Sequence, residues 1–268
     1  MAQKIIIAGA LGRMGMEIAQ IVLDDNSLLL SGCLEYPGHS AIGKDYGIAL
    51  GKGPINVNVV DSLDALDCKD SVLIDFSSIP SSRMFLQKVP EKNLKMVVGT
   101  TGLGDSELEL AKKAALTVPL IVSPNMSLGV NLLFHLTAQV AASLKDQFDI
   151  EIIEAHHRFK KDSPSGTAKR LGEIVAQSLG LTYEQAVKNG REGITDNNRS
   201  CSEIGMHAVR GGDIVGDHTV LFAGMGERIE LRHMAHSRKT FAQGAVTAAK
   251  WLATKGPGLY SMRDVLGL

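Results

Sequence analysis

Lys4-Ile-Ile-Ile-Ala-Gly-Ala-Leu-Gly-Arg-Met-Gly15 begins as a β-branched run, stops on glycine, and leads into Met14 to Leu23, where apolar residues recur at helical spacing until Asp24-Asp25-Asn26. The pattern predicts a buried strand, a tight turn and a helix. Glycines in such a turn let backbone amides approach a pyrophosphate at the positive end of the helix. The spacing is G-x-x-G-x-x-G, with Leu11 where a G-x-G-x-x-G fingerprint has its second glycine. Gly9, Ala10, Leu11, Gly12, Arg13 and Met14 are therefore candidate cofactor-binding residues.

Outward from this turn, Leu28 to Leu34, Val72 to Phe76, Met96 to Val98 and Leu120 to Val122 read as further strands, with helical patterns such as Ser81 to Lys88 and Ser106 to Ala115 between them. Apolar strands alternating with helices indicate a parallel sheet covered on both faces. Glu35 ends the second strand about 20 residues after the last glycine, where a carboxylate accepts hydrogen bonds from the adenosine ribose diol. An anion there disfavours a 2′-phosphate and the adjacent Tyr36 supplies no cation, so the sequence leans toward NADH over NADPH; Arg13 or Lys44 remains within reach of a phosphate. Gly99, Thr100 and Thr101 follow the fourth strand, and Ser123, Pro124, Asn125 and Met126 the fifth. Ligands of open parallel sheets lie beyond the carboxyl ends of strands, which makes both loops candidates for the nicotinamide half.

After Pro124 the pattern changes. Leu128 to Leu144 reads as one long helix, Ile150 to Glu154 as a strand, and Ser165 to Leu179 as a helix started by Ser163-Pro-Ser-Gly-Thr167. Ser202 to Arg210, Asp217 to Ala223 and Glu227 to His233 alternate like antiparallel strands, with Arg210-Gly-Gly-Asp213 and Gly224-Met-Gly226 as turns. Thr240 to Ala253 is again helical and is expected to return to the first domain. The expected fold is thus α/β: a Rossmann-like parallel-sheet dinucleotide domain over 1–126 and 238–268, and an α+β substrate domain with an open mixed sheet over 127–237. Hinges near Asn125 to Leu128 and His236 to Thr240 would let the domains close for hydride transfer.

With 268 residues, 28 Lys+Arg against 29 Asp+Glu and a formal net charge of -1, the chain has no global basic field for a nucleic acid. No apolar run is long enough for a membrane span. Three cysteines without CxxC spacing suit neither a disulfide framework nor a zinc knuckle, so a reducing cytoplasm is expected.

Glu154-Ala-His-His-Arg-Phe-Lys-Lys161 then packs His156, His157, Arg158, Lys160 and Lys161 just ahead of a helix start. Several cations beside helix amides suit a dicarboxylate, and a histidine titrates where it can donate or accept a proton during reduction of a polarised double bond. A solvated basic loop is the bland alternative. Adjacent histidines on a strand point to opposite faces, so no metal site is expected.

Taken together, these stretches resemble the 4-hydroxy-tetrahydrodipicolinate reductase (dihydrodipicolinate reductase) family nearly end to end. Gly9 to Gly15 is similar to its cofactor loop. Val97-Val-Gly-Thr-Thr-Gly102, Asn125-Met-Ser-Leu-Gly-Val-Asn131, Glu154-Ala-His-His-Arg158 with Lys160 and Ser165-Gly-Thr167, Arg210-Gly-Gly-Asp-Ile-Val-Gly216 and Met262-Arg-Asp-Val-Leu266 are similar to its other signatures. The resemblance implies NAD(P)H-dependent reduction of a hydroxylated tetrahydropyridine dicarboxylate with loss of water, in lysine biosynthesis through diaminopimelate. It makes His156 the general acid or base and Lys160 a second proton donor, with His157 and the amides of Gly166 and Thr167 on the substrate carboxylates. It implies a homotetramer built through the open sheet. Tyr36 stands where many members carry a basic residue. The rival classes are an NADH-binding redox sensor without turnover and a dehydrogenase of another small acid.

Overall fold

The computed structural model describes residues 2–194, 198–200 and 202–268. The chain divides into two compact units, Met1–Leu128 with Arg238–Leu268, and Gly129–Ser237.

In the first unit, β1 (Gln3–Ala8) leads through the glycine turn into the helix Arg13–Asp24. Successive isoleucines of a strand face opposite sides, so both sides need cover. Ile5 and Ile7 pack in one apolar cluster with the helices Arg13–Asp24 and Lys239–Leu252; Ile6 and Ala8 pack in another with Ile79–Lys88 and Asp105–Ala114. Each fully buried isoleucine contributes about 1.5–3 kcal/mol. The remaining strands are β2 (Leu28–Leu34), β3 (Val59–Val60), β4 (Ser71–Asp75), β5 (Lys95–Val98), β6 (Pro119–Val122) and a late strand, Gly258–Tyr260. Every pairing is parallel, and the spatial order runs from Gly258–Tyr260 through β6, β5, β4, β1 and β2 to β3. The chain winds one way from β1 to β3 and the other way from β4 onward. This reversal leaves a crevice between β1 and β4 at the carboxyl edge.

The second unit holds β7 (Asp149–His156), β8 (Val187–Asn189), β9 (Ile204–Arg210), β10 (Gly216–Ala223) and β11 (Arg228–Ala235), in the order β11-β10-β7-β9-β8. Ile150, Ile152, Val220, Phe222, Ile204 and Met206 turn one face of this mixed sheet toward the helix Gly166–Ser178 through Ala168, Leu171 and Val175. Ile153, Val209 and Met234 on the opposite face are exposed.

Two sequence expectations are corrected here. The three strands expected to follow one another antiparallel do so only for β10 and β11; β9 pairs parallel with β7, and β7 lies between β9 and β10. The segment 211–215 is therefore not a hairpin turn but a crossing over the end of β7. Backbone bonds hold it there, from Gly211 N to His156 O (2.9 Å) and from Arg158 N to Gly212 O (3.2 Å). Alternation shows which face a residue takes but not which strand is its neighbour. The second correction is that β7 runs on past Glu154 to His156, because the crossing supplies its last residue with a partner. Cys33 and Cys68 are buried free thiols; Cys201, the third cysteine, lies outside the described residues.

Candidate active site

In the parallel sheet, Gly9 follows β1, Glu35 follows β2, Gly99 follows β5 and Ser123 follows β6, so the candidate loops share one edge. Gly9 has φ +71°, and a Cβ there would sit 2.7 Å from the Phe76 carbonyl oxygen. A Cβ on Gly15 would fall 2.1 Å from Gly9 O. These positions admit no side chain without moving backbone. Gly12 caps the helix without a side-chain acceptor for the first-turn amides of Arg13 and Met14.

Side chains tether the turn from behind. The Leu11 amide donates to Glu35 Oε1 at 2.7 Å, and the fully buried Tyr46 donates its hydroxyl to Ala10 O at 2.6 Å. Leu11 in place of glycine keeps its amide in the turn and packs its side chain against the core. Thr100 Oγ1 accepts from Ser77 N at 3.2 Å, beside Asp75, which also receives Ser77 N at 3.0 Å. Asp75 is fully buried at the end of β4; burial pushes its carboxyl pKa up against the hydrogen bonds of Ser77 and Ser82. Ser123 Oγ donates to Asn125 O at 2.7 Å, and Asn125 Oδ1 accepts from Ser127 N at 2.9 Å. Thr101 and Pro124 are exposed, whereas the Met126 side chain is committed to the core. A turn that excludes side chains, a helix end without a side-chain cap and a carboxylate after β2 fit a dinucleotide. Tyr46 and Asp75 were not candidates in the sequence. A lone acid ending an apolar strand is a signal for the second; nothing marks the first.

In the second unit, His156 ends β7 and His157 follows it. Glu154, two residues earlier on the same face, has no solvent exposure. Its Oε2 lies 2.6 Å from His156 Nδ1 and accepts from Arg210 Nη1 at 2.7 Å; its Oε1 accepts from Arg210 Nη2 at 2.8 Å and from Ser165 N at 2.9 Å. Burial would raise the Glu154 pKa, but these donors bring it below the ordinary carboxylate value. Burial lowers the His156 pKa, aided by the charges of Lys160 and Arg210 and opposed by Glu154. The shift favours the neutral ring; with Glu154 ionised, the N–H at Nδ1 hydrogen-bonds to it and Nε2 carries the lone pair.

Ser165 caps the helix Gly166–Ser178 by accepting from Ala168 N at 3.2 Å, and its hydroxyl meets His218 Nε2 at 3.0 Å. His218 is buried on β10 and stacks edge-on against His156 at 5.2 Å. Burial pushes its pKa down to about 3, so it too is neutral. Gly166 opens the helix exposed, with nothing within 4 Å of where a Cβ would stand; Thr167 is next to it, half-buried. His157 is half-buried with its Nδ1 unpaired, and Lys160 Nζ lies 2.9 Å from Asp162 Oδ1. Arg158 and Lys161 are exposed. Among the described residues, no cluster of three His, Cys, Asp or Glu is arranged to hold a metal ion. Arg210, His218 and Ser165 escaped the sequence reading as members of the network around His156: the first two come from other strands, and Arg210 and Ser165 bond to Glu154 rather than to the ring.

Comparison with known proteins covers both units. Residues 3–126 match the family described as dihydrodipicolinate reductase, N-terminus, and residues 129–266 match dihydrodipicolinate reductase, C-terminus. A protein of Citrifermentans bemidjiense named 4-hydroxy-tetrahydrodipicolinate reductase is 49% identical over 265 residues, covering 99% of each chain. One of the same name from Geotalea uraniireducens is 48% identical over the same span. The solved structure of a dipicolinate-bound dihydrodipicolinate reductase from Paenisporosarcina sp. TG-14 superimposes with TM-score 0.75 at 25% identity, covering 98% of this chain and 99% of that one. The chain belongs to the dihydrodipicolinate reductase family.

Proposed function

We propose that the protein is a 4-hydroxy-tetrahydrodipicolinate reductase, reducing the hydroxylated tetrahydropyridine dicarboxylate to tetrahydrodipicolinate with loss of water, in lysine biosynthesis through diaminopimelate. The observation that carries the chemistry is His156, neutral, with Nδ1 on a buried carboxylate and Lys160 in the loop that follows. Gly9 to Met14, Glu35, Gly99 to Thr101 and Ser123 to Met126 would hold the dinucleotide, which when bound supplies the hydride. The chain's own groups then handle charge and protons. Amides of Gly166 and Thr167 at the helix N-terminus and His157 hold the two carboxylates. His156 exchanges a proton at Nε2, and the Lys160 ammonium is a second donor. Hydride addition leaves negative charge on the conjugated nitrogen system of the substrate, and a donor fixed beside it stabilises the transition state more than the ground state.

NADH is the preferred cofactor in this reading, since Glu35 follows β2 and Tyr36, 62% exposed, brings no cation to a 2′-phosphate. Three further copies of the chain assemble through the exposed face of β7, β9 and β11, giving a tetramer. Two buried free thiols accord with a reducing cytoplasm. No described helix is long and apolar enough to cross a membrane. The test is NADH oxidation with the enzymatically generated hydroxylated intermediate. Consumption dependent on that substrate is expected; binding of NADH without consumption would favour a redox sensor instead.

A further inference from the structure

We propose that Glu154 is a positioning residue, holding His156 in the tautomer whose Nε2 exchanges the proton and tying that ring to the anion-holding end of the helix Gly166–Ser178. The inference rests on the reading of His156 as the proton-exchanging group.

Glu154 has no solvent exposure and meets three different elements at once. From its own strand it faces His156 Nδ1 at 2.6 Å; from β9 it takes both terminal nitrogens of Arg210; from the loop before the helix it takes the Ser165 amide at 2.9 Å. A carboxylate that only balanced Arg210 would not need the other two bonds. Ionised, Glu154 can only accept, so Nδ1 must carry the proton and Nε2 is left for chemistry. Ser165 extends the chain of bonds, since its hydroxyl caps the helix at Ala168 N and meets His218 Nε2 at 3.0 Å. The groups facing His156 are Glu154 on β7, Arg210 on β9, His218 on β10 and Lys160 in the following loop. Of these Glu154 is the acid, and its charge favours a proton arriving at Nε2.

Glu154→Gln tests this, because an amide can donate as well as accept and so admits the opposite tautomer. Loss of the charge also strands Arg210, so the paired variant Glu154→Gln/Arg210→Gln is measured beside it. The expected result is kcat lowered about 10- to 100-fold with the KM for NADH nearly unchanged. The His156 titration in the pH profile of kcat/KM moves to lower pH, and the imidazole nitrogen resonances of His156 show the Nε2–H form. Glu154→Asp, which keeps the acceptor and the charge, restores part of the rate. Parent-like kcat, pH profile and nitrogen resonances in either glutamine variant would overturn the proposal while leaving the function intact. If His156→Gln itself turned over like the parent, the reading of His156 would fall instead.

Discussion

The glycine turn after β1 and the basic segment after β7 are both proposed to receive anions, but they are made from different parts of the chain. The turn is backbone: Gly9 and Gly15 exclude side chains, Gly12 offers no side-chain cap, and amides are what it presents to a ligand. The other region is side chains, where Glu154, His156, Arg210, Ser165 and His218 arrive from three strands and a loop. A backbone site is robust to most neighbours and fragile at its glycines. A site of converging side chains fails at any member, and the size of the loss reports what that member does.

The largest effect expected from this difference is at the second region. His156→Gln should lower kcat by about 10²-fold or more, as loss of a proton-transferring group does, and Lys160→Ala should act in the same direction. Turnover within about threefold of the parent in both variants would remove the proton-donor assignment. At the turn, Gly15→Ala is the matching experiment. A Cβ 2.1 Å from Gly9 O must displace backbone, at a cost of about 1–3 kcal/mol. The KM for NADH should rise about tenfold with little change in kcat, measured by steady-state kinetics; equal losses in both constants would mean the turn also shapes the chemical step.

The same contrast governs how much the sequence discloses. Strand, glycines and helix lie within Lys4 to Leu23, so local spacing suffices to place the turn, and the buried isoleucine run announces a sheet covered on both faces. The second site is only half visible. His156, His157 and Lys160 stand together in the chain, but Arg210 reaches Glu154 across β7–β9 pairing and His218 reaches His156 across β7–β10 pairing. Period-two alternation holds no information on which strands pair, which is also why the crossing 211–215 reads as a hairpin. Tyr46 begins a helix of only four residues, Tyr46–Ala49, too short to show a period in the sequence, and meets the turn only through the fold.

Protonation offers a way to probe the side-chain region as a whole. His218 has a folded pKa of about 3 against an ordinary 6.5. Above 6.5 the ring is neutral in both states; as pH falls below it the unfolded chain binds the proton first, and stability is lost progressively down to about pH 3. Between pH 7 and about 5.5 this group should cost about 1 kcal/mol. His218→Gln, which can still reach the Ser165 hydroxyl, should flatten that part of the profile in denaturant unfolding. A slope identical to the parent would mean that another group, His156 first, carries the acid sensitivity. The corresponding probe of the turn is Tyr46→Phe, which removes one buried bond to Ala10 O without changing shape. About 1 kcal/mol, or roughly fivefold in the KM for NADH, is expected, with kcat unchanged. An unaltered KM would show that the turn holds its form without the tether.

The smallest effect is expected where a side chain adds selectivity to the backbone site. Tyr36 is exposed beside Glu35, so arginine can replace it without disturbing the core. Its guanidinium would offer a 2′-phosphate a charge-assisted partner, but in solvent such a pair is worth only about 0.2–1 kcal/mol. Tyr36→Arg should therefore raise relative use of NADPH by about two- to fivefold while NADH turnover stays near the parent. The gain should shrink at high salt, because an exposed pair is screened. An unchanged cofactor ratio would separate Glu35 from Tyr36: selectivity would then lie with the carboxylate after β2, whose Oε1 already holds the Leu11 amide, and the turn and its specificity would be one device.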